Sequence, residues 1–291
     1  MSVMAISGKT RVCGVIGDPI EHTMSPVMHN AAFRKLGIDY VYVPFRVTSD
    51  EIGDAIAGMR ALNLAGLNVT IPHKVSVIHF LDEMDPLARK IGAVNTVVND
   101  KGFLRGYNTD ASGFLQAMLD KGVRPAGRKV VVLGAGGAAR AICYILAENG
   151  AGLSILNRAL ELDWARNLAA EIAGAFDTET SALELNRDNL AKALSGSDIL
   201  VNATSVGMSP GTRDTLVPAD LLKSVPVVFD IIYNPVRTRL RSEAEQAGAL
   251  TISGLDMLVC QGALSFEKWT GQKAPLEIMK KEALKGLGSE K

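Results

Sequence analysis

Residues 129–150 read KVVVLGAGGAARAICYILAENG. An apolar, β-branched run ends in a glycine turn, and an apolar helical stretch follows. A strand buried on both faces reads as a continuous apolar run, as a parallel sheet covered by helices requires. In the turn, Gly134 allows the tight bend and Gly136 lets backbone approach a pyrophosphate. Gly137 opens the helix, whose N-terminal N–H groups and dipole favour an anion. The pattern is G-x-G-G-A, short of the full G-x-G-x-x-G. A glycine string alone marks any tight βα turn; this one lies between a strand and a helix, in a Rossmann-type βαβ unit.

The unit's second strand, LSILNR (153–158), ends in Asn157-Arg158. An NAD site usually places Asp or Glu there for the ribose hydroxyls. A carboxylate would repel a 2′-phosphate, whereas a guanidinium bonds it and stacks on adenine. The cofactor expected is NADP, with NAD use allowed. Downstream, helices near 160–173 and 187–194 and strands 198–204 and 227–232 continue the alternation. Residues 254–291 read as two helices.

Upstream, strand and helix signals alternate again. RVCGVIG (11–17) and YVYVPF (40–45) read as strands. Ser25-Pro26 opens a helix, with Ser25 as N-cap. Strand 66–71 and a helix near 84–91 follow, then a hairpin around Asp100-Lys101-Gly102 and a helix from about 110 to 121. Polar residues gather at these strand ends: Thr23 and Ser25, Thr70 and Lys74, Asn95, and Asn108 and Asp110. In α/β sheets, ligands sit at the carboxyl ends of strands. Hydroxyls and amides suit a small polyol acid, with Thr23 and Ser25 toward its carboxylate. Hydride delivered to a ketone leaves an alkoxide that needs a proton. Lys74 can supply it if Asp110 lies beside it.

Lys+Arg and Asp+Glu are equal at 31 each over 291 residues, so no basic field exists to attract nucleic acid or an anionic membrane. Cys13, Cys143 and Cys260 show no CxxC spacing, which argues against a disulfide framework or a structural zinc. No metal is expected. No apolar run reaches membrane-spanning length, and the reading is a cytoplasmic protein. A homodimer through exposed sheet edges of the first unit is the assembly the sequence allows.

Seven stretches together resemble the shikimate dehydrogenase family: GDPIEHTMSPVMHN, GLNVTIPHK, GAVNT, GYNTDASGF, VLGAGGAARA, NATSVGM and GLDMLVCQGA. The resemblance implies NADP-linked, reversible reduction of 3-dehydroshikimate to shikimate in aromatic amino-acid biosynthesis. It implies a two-domain α/β fold. An N-terminal substrate domain with a mostly parallel sheet would span 1–111, and a Rossmann domain 112–253. The helices of 254–291 would return to the first domain. By the same carry-over, Lys74 and Asp110 are catalytic. Thr23, Ser25, Thr70, Asn95, Tyr233 and Gln261 contact substrate alongside them. Gly134, Ala135, Gly136, Gly137, Ala138, Asn157, Arg158, Ile231 and Gly254 contact cofactor. The domains would close over both ligands.

The chain departs from the family at several places. Thr23 stands where Ser is common, and His73 where Phe often precedes the lysine. Ala159 and Leu162 replace a hydroxyl residue and a second Arg, and Glu161 adds a negative charge. NADP preference should therefore be weaker than usual. His73 reads as a turn residue, His22 and His29 as turn and helix hydrogen-bonders, Asp230 as an acceptor for backbone donors, and Trp164 and Trp269 as packing. Two alternatives stand beside the main reading: a dual-specificity quinate/shikimate dehydrogenase using NAD or NADP, and a non-catalytic nucleotide-sensing regulator. The regulator should lack Lys74 or Asp110; both are present.

Overall fold

The computed structural model describes residues 6–289. In chain order the first half contains β1 (Arg11–Gly17), α1 (Ser25–Leu36), β2 (Tyr40–Arg46), α2 (Ile52–Ala61), β3 (Gly66–Val69), β4 (Glu83–Met84), α3 (Pro86–Ile91), β5 (Thr96–Asp100), β6 (Phe103–Tyr107) and α4 (Thr109–Asp120). Then come β7 (Lys129–Leu133), α5 (Gly137–Glu148), β8 (Gly152–Asn157), α6 (Leu162–Ala175), β9 (Thr180–Glu184), α7 (Arg187–Leu194) and β10 (Ile199–Asn202). The chain continues through β11 (Val227–Asp230), α8 (Arg239–Gln246), β12 (Leu250–Ser253), α9 (Gly254–Thr270) and α10 (Leu276–Ser289).

Two compact units divide between Gly113 and Phe114 and again between Leu258 and Val259. The sequence expectation put these divisions at 111/112 and 253/254. Both observed divisions fall inside a helix, α4 and α9, where no turn residue marks a boundary.

The first unit holds a six-stranded sheet of order β2-β1-β3-β5-β6-β4. β1 pairs in parallel with β2 and β3, and β4 with β6. β3–β5 and β5–β6 are antiparallel. The β5–β6 hairpin closes through Lys101 and Gly102 at φ of 52° and 94°, the left-handed pair that a tight hairpin with native twist requires. On one face, Ile16, Leu67, Val69, Val97 and Leu104 pack against Ile56 and Met59 of α2. Aromatic rings pack around α1 and α9: Phe33 and Phe266 lie 5.2 Å apart, centroid to centroid. Trp269 is buried, as expected, and its indole N–H donates to the Val97 carbonyl at 3.1 Å.

Three expectations need correction. Ser25 does not cap α1. Met24 holds that position with near-helical backbone (φ −87°, ψ −6°), and no side chain bonds back to the first turn. An N-cap sets its side-chain oxygen against the following N–H groups, and Ser25 is already the first residue of the helix, past that position. His29 is no hydrogen-bonder either. It is wholly buried, stacked on Tyr42 at 4.4 Å, and neither ring nitrogen has a partner. Burial pushes its pKa down to about 3. His73 is more than a turn residue: it is buried, and its Nε2 lies 2.7 Å from the Val47 carbonyl oxygen.

The second unit is an all-parallel sheet of order β12-β11-β10-β7-β8-β9. The order reverses between β7 and β10, the switch point where doubly wound sheets bind ligands. Val131, Leu133, Leu156 and Leu200 form the floor of its core, with Leu190 and Leu194 of α7 above them. β9, α8 and β12 were not expected from the sequence. All three cysteines are buried. Among the described residues, no helix is long and apolar enough to cross a membrane.

Candidate active site

In the first unit, β3 ends at Val69 and the chain turns at once, with the His73 N–H bonded to the Thr70 carbonyl at 2.8 Å. Lys74 follows that turn. Asp110 arrives from the first turn of α4, just beyond β6. The Lys74 ammonium meets the Asp110 carboxylate at 2.7 Å (Nζ to Oδ2), with side chains 29% and 16% exposed. The two residues are 36 apart in sequence, and the β3 and β6 ends bring them together. Asn108 secures the same corner, accepting from the Ala111 N–H at 3.1 Å and donating to the Ala93 carbonyl at 3.0 Å.

Thr23 and Ser25 lie in one turn, where the Ser25 N–H approaches the Thr23 hydroxyl at 3.4 Å. Thr70 is half-buried beside the turn. Asn95 is buried, and its Nδ2 donates to Gln261 Oε1 at 3.4 Å, bringing β5 and α9 together. Thus Lys74 with Asp110, Thr23 with Ser25, and Asn95 with Gln261 are three contacting pairs within one unit. Tyr233, half-buried, belongs to the second unit, just after β11.

The glycine turn in the second unit has the features that anion binding needs. Gly134 has φ +97°, and a Cβ there would stand 2.9 Å from the Thr204 methyl. A Cβ on Gly136 or Gly137 would meet nothing within 4 Å, so the space over the helix start is open. α5 begins with no side-chain cap and no acidic residue in its first turn. Its first N–H groups therefore face that space, flanked by Ala135 and Ala138. At the end of β8, Asn157 is buried and its Nδ2 donates to the Glu161 carbonyl at 2.8 Å. Arg158 is exposed and bonded to the Glu161 carboxylate. Trp164, expected to pack, is 55% exposed, outside the buried stripe of Ala165, Leu168, Ala169 and Ile172 on α6. Ile231 and Gly254 touch: a Cβ on Gly254 would lie 2.0 Å from the Ile231 oxygen. These residues fit a dinucleotide, with backbone N–H groups for the pyrophosphate and a cation at the ribose end.

Sequence reasoning did not single out Asn202, Thr204 and Thr238, which brace these groups through Asp230 and one another. Asp230 is fully buried and accepts from the Thr238 hydroxyl at 2.6 Å, Asn202 Nδ2 at 3.0 Å and the Ile232 N–H at 3.2 Å. The Ile232 N–H is the backbone donor expected for it, and the Thr238 and Asn202 side chains add to it. Burial pushes its carboxyl pKa up against these bonds. Asn202 in turn accepts from the Thr204 hydroxyl at 2.7 Å, and the Thr204 methyl is the group nearest Gly134. Among the described residues, no group of three or more His, Cys, Asp or Glu side chains could hold a metal ion.

Family models match three stretches of the chain. Residues 15–97 match the shikimate dehydrogenase substrate binding domain, residues 118–235 the shikimate / quinate 5-dehydrogenase model, and residues 254–284 the shikimate 5′-dehydrogenase C-terminal domain. The shikimate dehydrogenase (NADP(+)) of Methanopyrus kandleri is 47% identical over 99% of this chain and 100% of its own length. That of Dehalococcoides mccartyi strain CBDB1 is 47% identical over 93% of this chain and 94% of its own. The crystal structure of shikimate 5-dehydrogenase from Listeria monocytogenes, in complex with shikimate and NAD, superposes with a TM-score of 0.91. It is 41% identical, covering 96% of this chain and 98% of that one. With matched models along most of its length and relatives aligned nearly end to end, the chain belongs to the shikimate dehydrogenase family.

Proposed function

We propose that this protein catalyses the reversible reduction of 3-dehydroshikimate to shikimate with NADPH, a step of aromatic amino-acid biosynthesis. The observation that carries the reading is the 2.7 Å contact between Lys74 Nζ and Asp110 Oδ2. Reduction of a ketone adds a hydride at carbon and a proton at oxygen. Bound NADPH supplies the hydride. Lys74 supplies the proton from its ammonium group, and in the oxidation direction the neutral amine takes it back. Asp110 holds that ammonium through a charge-assisted hydrogen bond and so fixes where the proton is offered.

The remaining assignments follow from residue chemistry. Thr23 and Ser25 hold the substrate carboxylate by hydroxyl donation. Thr70, Asn95, Gln261 and Tyr233 take the ring hydroxyls. Gly134, Ala135, Gly136, Gly137 and Ala138 hold the pyrophosphate on backbone N–H groups. Asn157 and Arg158 meet the adenosine ribose, while Ile231 and Gly254 border the nicotinamide end. Residues 1–111 and 254–291 make up the substrate domain in this reading, and 112–253 the dinucleotide domain. An NADPH-supplied, reducing compartment, the cytoplasm, is where the reading places the enzyme.

Spectrophotometry of the reduced nicotinamide tests it. Shikimate with NADP should give the highest kcat/KM, above shikimate with NAD and above quinate with either cofactor. Turnover of quinate alone would overturn the substrate, and no turnover of either acid would overturn the enzyme.

A further inference from the structure

A closed web of side-chain hydrogen bonds lies within the first unit, and its hub is Ser265. This residue follows Gln261 by one helical turn on α9 and is 0% exposed. Its hydroxyl donates to the Gln261 carbonyl at 3.0 Å and accepts from Asn68 Nδ2 at 3.0 Å. The Thr96 and Thr109 hydroxyls lie 2.8 Å and 3.1 Å from it, and 3.1 Å from each other.

Two backbone groups set the direction of the web. The Asn95 carbonyl, which can only accept, faces the Asn68 amide at 3.2 Å, so Asn68 must turn its NH2 that way. Its oxygen then accepts from the Tyr42 phenol at 2.7 Å, on the far side. The Thr109 N–H, which can only donate, lies 2.7 Å from the Asn95 amide, so Asn95 must turn its oxygen there. The Asn95 NH2 consequently points to the Thr109 hydroxyl at 2.9 Å and to Gln261 Oε1 at 3.4 Å. That 3.4 Å contact is the longest in the web and the one most easily exchanged for another acceptor.

We propose that Ser265 is a positioning residue for substrate: its hydroxyl braces Thr96 and Thr109, whose hydroxyls meet the Asn95 amide, and so holds in place the NH2 that the Thr109 N–H turns toward Gln261 and an incoming ring hydroxyl. A ring hydroxyl can accept from this NH2, whereas Gln261 Oε1 on the other side can only accept. The opposite amide orientation would set two acceptors against each other. The proposal rests on the shikimate reading above, since it takes Asn95 and Gln261 as substrate contacts.

The experiment compares wild type, Ser265→Ala, Asn95→Ala and the double variant by steady-state kinetics. Calorimetry of shikimate binding without cofactor accompanies it. Loss of one neutral hydrogen bond corresponds to about a 2- to 12-fold weakening. Ser265→Ala should raise the shikimate KM and dissociation constant by that factor, leaving the NADP KM and kcat within about twofold. In the Asn95→Ala background the same change should add nothing, because both act through one amide. Tyr42→Phe cuts the web at Asn68, should shift the same constants, and carries the test if Ser265→Ala does not fold. Unchanged shikimate constants, an equal rise in both KM values, or a full additional loss in the Asn95→Ala background would each overturn the role. Wild-type turnover of shikimate checks the underlying reading separately from these ratios.

Discussion

The Arg158 guanidinium is bonded to the Glu161 carboxylate three residues along, at the point where β8 hands the chain to α6. The bond holds the Glu161 carboxyl below its ordinary pKa range. A 2′-phosphate reaching for Arg158 must displace that carboxylate and then stand beside it. A ribose hydroxyl, by contrast, can donate to it. Glu161→Gln should therefore raise the preference for NADP over NAD. The guanidinium is 69% exposed, so the gain belongs to the weak, solvent-screened class of ion pairs, about two- to fivefold. Calorimetry with 2′,5′-ADP against 5′-ADP, beside the ratio of KM values, measures it. An unchanged ratio would remove Glu161 from cofactor choice.

In the proposed reaction the contacting Lys74 and Asp110 act as one unit, so either substitution should cost turnover more than affinity. Lys74→Ala should lower kcat by about two to four powers of ten, the usual scale for a proton carrier. Asp110→Asn keeps a hydrogen-bonding amide but removes the charge, and its loss should be smaller. The shikimate KM should move far less in both, because the proton is transferred only in the transition state. Full activity in Lys74→Ala would assign the proton to another group.

Much of this was readable before any coordinates, for physical reasons that differ by residue. The β7 and β10 runs are continuously apolar because helices cover both faces, so they stand out from any background. Lys101-Gly102 announced its hairpin by turn chemistry. β9 escaped notice because TSALE is half-buried and short. α8 did so because RLRSEAEQ is almost wholly polar and buries only Leu240 and Ala244. Lys74 and Asp110 were recoverable because each lies just beyond a strand, Lys74 past the turn after β3 and Asp110 in the first turn of α4. Ser265 was not, since a lone serine on an apolar helix carries no periodic signal. Its partners Asn68 and Thr96 lie 197 and 169 residues away, pairings that only the fold makes.

His29 predicts an acid-sensitive fold. Burial lowers its pKa from 6.5 to about 3, and neither ring nitrogen finds a partner. In that window the unfolded chain binds a proton that the folded chain refuses. Stability from the neutral ring is thus complete above pH 6.5 and is lost as pH falls toward about 3. The slope from this group is about 1.4 kcal/mol per pH unit. His29→Phe keeps an aromatic ring against Tyr42 and removes the proton site. Urea unfolding at stepped pH should show a shallower acid limb for the variant by about that slope. Parallel limbs would mean that His29 finds solvent or a partner when charged.

Gly254 offers the sharpest steric test of the proposed cofactor side. A methyl there would stand 2.0 Å from the Ile231 oxygen, 2.3 Å from its carbonyl carbon and 2.5 Å from that of Ile232. All three are backbone atoms, so no rotamer change relieves the contact. The segment cannot easily slide either. Ser253 donates to the Asp256 carboxylate at 2.7 Å, and the Asp256 N–H returns to the Ser253 hydroxyl at 3.2 Å, fixing the start of α9. Gly254→Ala should then push the chain after β11 out of place, at a cost of about 1–3 kcal/mol. A lower melting temperature and a raised NADP KM should appear together, with Ser253→Ala producing only the first. A Gly254→Ala protein with wild-type melting and wild-type NADP affinity would show that the approach of Ile231 to α9 is looser than these distances state.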